Sequence, residues 1–599
     1  MKKTVFVALL IFAVFSSCVS KDKKYFVKEL AFHENITPEQ KIKLAAHLTP
    51  TDQQYEWQQL ELTAFIHFGM NTFTGREWGE GKEDPALFNP TDFNAEQWVV
   101  SLQEAGFKMI ILTAKHHDGF CLWPTATTRH SVRSSLWRDG NGDVVREVKN
   151  ACDKYGMKFG VYLSPWDRNA ESYGDSPRYN AMFVEQLKEL LNNYGEVHEV
   201  WFDGANGEGP NGKRQVYDWT RFYQVIDSLQ PKAVKAIMGN DVRWVGNESG
   251  LGRETEWSVT PLNPDINEAV VAENNRLDIN PMSKDLGSRN LIGEAKKLYW
   301  YPSEVDVSIR PGWFYHPEQD HQVKTLQQLV DIYYQSVGMN SVLLLNIPPD
   351  KRGLLHEADV ARLKEFGAYI RSTFENNRIN TGNTAWTANN GEFREFTVTG
   401  DTVNTVMLQE DIKKGQRVEV FKVEGFIHNE WKKLAEGTTI GYKRLLKFDD
   451  CAPSRIRVTV TETREKAHIL AVGAYRAPQI SETSGELKLS DVSKEKWTVK
   501  SHSPLIVDMG EVVSVKGFTY KPISEKEAVF NYAFSMSDDG KTWTGLKKGE
   551  FSNIKNNPIP QFVRFDNDLK ARFFRFETII GTEGGKPGVS IDQIGILTQ

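Results

Sequence analysis

Five short apolar runs between roughly residues 55 and 350 end in side chains able to bind, polarise or attack. The first ends in Ile66-His67-Phe68-Gly69 and the second in Lys115-His116-His117-Asp118-Gly119. The third ends in Ser164-Pro165-Trp166-Asp167-Arg168, the fourth in Trp201-Phe202-Asp203-Gly204 and the last in Asn346-Ile347-Pro348-Pro349. Asp203 is the sharpest candidate. It follows a strand-like run, and Gly204 permits a tight turn that presents the carboxylate. The same placement would also suit a helix N-cap. Hydrolysis of a glycosidic bond would need a second carboxylate. The stretch Asn240–Trp257 offers Asp241, Glu248, Glu254 and Glu256 among Gly and Trp residues, the composition of a loop lining a sugar site. His67, His116 and His117 raise the question of a metal. Adjacent residues on an extended strand point to opposite sides, so His116 and His117 suit zinc poorly compared with an i, i+4 helix pair. Imidazoles that exchange hydrogen bonds with hydroxyls are the better reading, and no metal or other cofactor is expected. A metal-dependent hydrolase using the three His is the rival, with sensitivity to chelator as its mark.

These residues need a scaffold that gathers strand ends. The apolar runs are Leu62–Phe68, Met109–Ala114, Lys158–Ser164, Glu199–Phe202, Ala233–Met238 and Val342–Ile347. Each is bounded by polar or turn signals, as buried parallel strands are. Helical patterns lie between them, at Asp143–Tyr155, Met182–Asn193 and Tyr217–Leu229. Repeated βα units predict an irregular (β/α)8 barrel of TIM type over 45–365, whose chemistry sits at the C-terminal strand ends. The runs spread apart after Met238, which predicts a missing or replaced helix or two. No dinucleotide fingerprint or phosphate loop is present. From Asn376 short alternating strands take over, and a β-sandwich is expected over 370–472. A second all-β unit is expected over 476–599, marked by Leu505–Gly510, Ser535–Trp543 and Val589–Ile596.

The whole chain has 599 residues and a mass of 68.2 kDa, enough for several domains. With 40% hydrophobic and 25% charged residues it is globular. Its 73 basic and 79 acidic residues leave a net charge of -6, so there is no basic footprint for nucleic acid. Four Cys exclude a disulfide scaffold. At the N-terminus Lys2 and Lys3 precede the apolar Thr4–Phe15 and then Ser16-Ser17-Cys18. Residues 1–17 read as a signal peptide and 18–44 as a polar tether. Cys18 resembles the lipidated Cys of a bacterial lipobox, with plain secretion as the alternative. The protein is expected to be exported and lipid-anchored, in the periplasm or at the outer membrane or cell surface, with no other membrane contact.

The ordered stretches Phe65–Phe73, Ala114–Phe120, Tyr162–Trp166 and Trp201–Gly204 resemble glycoside hydrolase family 29, the α-L-fucosidases. The resemblance implies an exo-acting, retaining fucosidase with Asp203 as nucleophile. It implies fucose contacts by His67, His116, His117 and Trp78, beside Glu77, with Trp166 and Trp313 as further contacts. The family has two branches. Arg243–Glu248 and Arg253–Trp257 look like the branch acting on α-1,3- and α-1,4-linked fucose. There the acid/base falls on Glu248, with Glu254 and Glu256 as fallbacks. Fucosylated oligosaccharides or glycoconjugates are the implied partners. A broad-specificity fucosidase, an α-L-galactosidase and a non-catalytic glycan-binding lipoprotein are the alternatives; the Asp203–Glu248 pair argues against the last. The unit over 476–599 resembles a discoidin-like factor 5/8 type C domain, serving either to bind glycans or to prop the barrel.

Overall fold

A computed structural model describes residues 25–598, apart from 266–267, 380–381, 401, 482–492, 524–527, 552–553, 555–557 and 580–588. Cys18 and the expected signal peptide therefore lie outside the described residues. Eight parallel strands build the first domain: β1 (Leu62–Ile66), β2 (Met109–Lys115), β3 (Lys158–Leu163), β4 (Glu199–Phe202), β5 (Val234–Ile237), β6 (Arg243–Trp244), β7 (Ser303–Ser308) and β8 (Val342–Asn346). They pair in the order β5-β4-β3-β2-β1-β8-β7-β6. The two ends of this order, β5 and β6, lie against each other without a ladder, so the barrel is nearly closed. β1, β2 and β8 are buried at every residue, as strands covered on both faces must be.

Helices α1 (Ala95–Glu104), α2 (Val144–Tyr155), α3 (Ser176–Asn193) and α4 (Trp219–Leu229) follow β1 to β4. In α2 the apolar face Val144, Val145, Val148, Ala151 and Cys152 is buried. Asp143 caps its start by accepting from the Arg146 N–H, and Gly156, at φ 69°, ends it. The predicted irregularity is present. Only Met238–Val242 joins β5 to β6, and the long β6–β7 connection carries α5 (Glu268–Arg276) and α6 (Arg289–Glu294). Helices α7 (Leu326–Ser336) and α8 (Glu357–Phe374) complete the ring, α8 running past the expected edge at 365.

The expected tether needs correction over residues 25–44. Phe26–Val27 pairs with Leu48–Thr49, and Glu29–Ala31 adds to Lys297–Trp300. A helix at Pro38–Ala45 starts in a Thr37–Gln40 capping box and buries Ile42 and Ala45. Leu30, Ile42 and Ala45 are apolar residues spaced among charges, and they bury themselves against the β6–β7 excursion.

Two four-stranded antiparallel sheets over Trp386–Tyr475 form the middle sandwich around Phe396, Val406, Val423 and Val458. The third domain is antiparallel too. Its long strands Leu505–Tyr520 and Gln561–Ile579 pair along most of their length around Phe518, Phe534 and Phe576.

Candidate active site

The C-terminal ends of the barrel strands open into a cleft of about 1350 Å³. Asp203 follows β4 at its floor. Its Oδ1 accepts from the Ala205 N–H at 2.7 Å, and its Oδ2 accepts from the Tyr162 hydroxyl at 3.1 Å. The side chain keeps 25% exposure, so the carboxylate is held and still reachable. It does not cap a helix, since α4 starts later and is capped by Asp218.

The three imidazoles sit on β1 and β2 ends, and all border the cleft. Burial lowers the pKa of His67 to about 3 and that of His116 well below the ordinary value. Burial also lowers His117 to about 4, against the opposing pull of Asp203. All three are therefore neutral near pH 7, each with one donor and one acceptor nitrogen. Their neighbours fix which is which. Asn346 gives its amide N–H groups to Ser308 Oγ and Trp313 O, both at 2.8 Å, so its Oδ1 faces His67 Nδ1 at 2.9 Å. His67 then carries its proton on Nδ1 and offers Nε2 as an acceptor. Asn71 Nδ2 donates to Glu77 O at 2.9 Å and faces His116 Nδ1 at 3.4 Å, which leaves the His116 Nε2–H as a donor. Ser164 donates to Trp166 O at 2.6 Å and accepts from His117 Nδ1 at 2.7 Å. His117 Nε2 lies 3.8 Å from Asp203 Oδ2.

The loop after β6 separates its three glutamates. Glu248 borders the cleft, and its Oε2 accepts from Trp313 Nε1 at 3.1 Å. Glu254 is exposed away from the cleft. Glu256 is buried in an ion pair with Arg243, with Arg253 3.6 Å from its other oxygen. Trp78 stands edge-on to Trp166, with ring centres 5.4 Å apart, and to His117. Trp166 is fixed by donating to Glu208 O at 3.1 Å. Trp313 lies 5.0 Å from the His67 ring.

Glu77 is placed behind the cleft wall. Its carboxylate accepts from Trp313 N at 2.9 Å, Phe314 N at 3.4 Å and His316 Nε2 at 2.8 Å. It positions the Trp313 segment and does not border the cleft. Asp306 lines the cleft and is missed by reading apolar runs; Tyr162 and Trp244 line it too, inside the stretches Tyr162–Trp166 and Arg243–Glu248. Asp306 accepts from Trp244 Nε1 at 2.8 Å. Burial and the nearby Glu248 charge push its carboxyl well above the usual range. Deeper in the barrel, Glu199 and Glu304 are raised by burial as well and accept from Trp57 and Trp201. The signal for Asp306 was present as the alternation Glu304, Asp306, Ser308 along β7.

Among the described residues no group of His, Cys, Asp and Glu is arranged to hold a metal ion. Neutral imidazoles of fixed, opposite polarity suit a ring of hydroxyls, each of which both donates and accepts. Indole faces suit the apolar C–H surface of the same ring. With carboxylates facing that ring from the floor and from the β6 loop, the fold and site are those of a glycoside hydrolase.

The α-L-fucosidase family pattern matches residues 33–375, and that of the F5/8 type C domain matches 479–591. The chain is 40% identical to "Alpha-L-fucosidase 1" of Arabidopsis thaliana over 71% of this chain and 87% of that one. It superposes on the crystal structure of a candidate α-L-fucosidase from Bacteroides ovatus with a TM-score of 0.77. The two are 56% identical, over 96% of this chain and 100% of that one. A fucose complex of a family 29 fucosidase from Ruminococcus gnavus aligns with a TM-score of 0.64 at 31% identity, over 72% of this chain and 95% of that one. The chain belongs to the α-L-fucosidases of glycoside hydrolase family 29 and carries a discoidin-like F5/8 type C domain.

Proposed function

We propose that this α-L-fucosidase releases terminal α-1,3- or α-1,4-linked fucose from branched glycans by a retaining double displacement, with Asp203 as nucleophile and Glu248 as acid/base. One observation carries the reading: of the three glutamates after β6, Glu248 is the one bordering the cleft that Asp203 faces. Asp203 attacks the anomeric carbon as Glu248 protonates the departing oxygen, so the glycosidic bond breaks and a fucosyl ester forms. Glu248 then takes a proton from water, whose oxygen displaces Asp203. The Tyr162 hydroxyl and the Ala205 N–H hold the Asp203 carboxylate for attack. His67 accepts from one sugar hydroxyl while His116 donates to another. Trp78 and Trp166 face the apolar side and the C6 methyl of fucose. The linkage reading is supported by the Arg243–Glu248 pattern and by a cleft larger than the usual 300–1,000 Å³ of small-ligand sites.

The test compares 4-nitrophenyl α-L-fucoside with a Lewis-type trisaccharide. Wild type should favour the trisaccharide. Asp203→Ala should be dead on both, with azide restoring turnover of the activated fucoside by taking the vacated position. Glu248→Ala should retain the first step on nitrophenolate, which leaves unprotonated, and lose the trisaccharide. A preference for the small fucoside overturns the linkage, and activity surviving in Asp203→Ala overturns the nucleophile. Export and a lipid on Cys18 are part of the proposal, supported by Lys2-Lys3, Thr4–Phe15 and Ser16-Ser17-Cys18. Mass spectrometry of the membrane fraction checks them; an unmodified Cys18 ends the anchor.

A further inference from the structure

Part of the cleft rim belongs to the third domain. Asn531 and Glu550 face each other on the paired strands Asn531–Ser537 and Thr544–Glu550, and both border the cleft together with Lys548. The domain is latched there by specific contacts. Glu550 Oε1 accepts from the Glu77 backbone N–H, and its Oε2 lies 3.9 Å from the Arg76 guanidinium. Lys547 lies 3.9 Å from Glu318, and Gln322 donates to Phe562 O at 3.3 Å. The latch places two further polar groups, the Asn531 amide and the Lys548 ammonium. Among the described residues neither side chain has a hydrogen-bonding partner, and Lys548 is exposed.

A domain serving purely as a prop would have no need to present unpaired donors to the cleft. The fucose-binding groups cluster at the strand ends around Asp203, so whatever reaches the third domain lies on the leaving-group side. We infer that the third domain is part of the active site, where Asn531 and Lys548 form a subsite for the hydroxyl-bearing sugars on the leaving-group side of a fucosylated oligosaccharide. This rests on the fucosidase reading above and adds a specificity determinant outside the barrel. The ammonium and amide donate to ring hydroxyls or to an acetamido oxygen, and their contribution is felt only by substrates long enough to reach them.

The test measures kcat/KM on a branched fucosylated trisaccharide and on 4-nitrophenyl α-L-fucoside, in full-length protein. The trisaccharide-to-nitrophenyl ratio should fall about 10-fold in Lys548→Ala and further in Asn531→Ala/Lys548→Ala, chiefly through KM. Lys541→Ala, exposed on the same domain outside the cleft lining, should hold the wild-type ratio. A ratio within twofold of wild type in the double variant overturns the inference and leaves the fucosidase reading standing. Equal losses on both substrates overturn it too, in favour of a prop. Wild type inert on both substrates overturns the reading itself, and the inference with it.

Discussion

Removing the Ser164 hydroxyl should damage the site through the proton of a neighbouring imidazole. Ser164 Oγ spends its hydrogen on Trp166 O, which leaves its lone pairs for His117 Nδ1. That bond keeps the His117 proton on Nδ1 and leaves Nε2 bare, 3.8 Å from Asp203 Oδ2. In Ser164→Ala a buried Nδ1–H would lose its acceptor, at a cost of about 1–3 kcal/mol. The proton then prefers Nε2, where it points at Asp203, the proposed nucleophile, and leaves the ring no acceptor for a sugar hydroxyl. A bias of about 1–3 kcal/mol is about 5- to 150-fold in population. The expected result is a loss of kcat/KM in that range, equal on small and large fucosides because the effect lies at the fucose end. The change deletes one oxygen and no carbon, so packing is kept. Kinetics on 4-nitrophenyl α-L-fucoside give the rate, and ¹⁵N chemical shifts of the His117 ring give the tautomer. A loss below twofold refutes the reasoning, as does a large loss with Nδ1 still protonated.

Glu256→Gln should lower stability in urea by about 3–5 kcal/mol, because it strands the buried Arg243 charge, while turnover per folded molecule stays near wild type. Glu248→Gln should do the reverse, and an exchange of the two phenotypes would hand the acid/base role to Glu256. Glu199 and Glu304 carry carboxyls raised by burial, so the folded protein holds protons that the unfolded chain releases above about 4.5. Their contribution therefore makes stability fall as pH rises through neutral; Glu199→Gln should narrow the gap between urea midpoints at pH 5 and pH 8, and an unchanged gap speaks against the buried pair. A Cβ on Gly207 would sit 2.2 Å from Trp166 Cζ2, so Gly207→Ala must displace that indole. It should cost about 10-fold or more in kcat/KM, and full activity would show that Trp166 does not position the sugar.

The strands that could be read in advance are those buried on both faces. Val342–Ile347 announces itself as a continuous apolar run, and β8 occupies Val342–Asn346. β7 escaped that reading because it alternates: Val305 and Val307 face the helices, while Glu304, Asp306 and Ser308 face the barrel interior. β6 has two residues and no period to detect. Asp203 could be found because a carboxylate followed by Gly at a strand end is a local pattern. The choice among Glu248, Glu254 and Glu256 is not local. It depends on Arg243 and Arg253 closing over Glu256 and on Trp313 reaching Glu248 across 65 positions. The folding of residues 25–44 is likewise set by pairing with Lys297–Trp300, far along the chain.

Glu77 shows why the third domain and the chemistry are hard to separate. Its carboxylate fixes Trp313 and His316, its carbonyl accepts from the Asn71 amide that faces His116, and its N–H is held by Glu550. Burial would lower the His316 pKa, but the bond to Glu77 raises it, so the clamp gains charge as well as geometry. Trp313 in turn donates to Glu248. One residue thus connects the domain latch, the orientation of the His116 imidazole and the placement of Glu248, the proposed acid/base. Undocking the third domain frees the Glu77 N–H and loosens all three at once. Deleting 476–599 would then lower turnover of the smallest fucoside as well as of long glycans, so the outer subsite has to be isolated with point changes at Asn531 and Lys548, which leave the Glu550 latch in place.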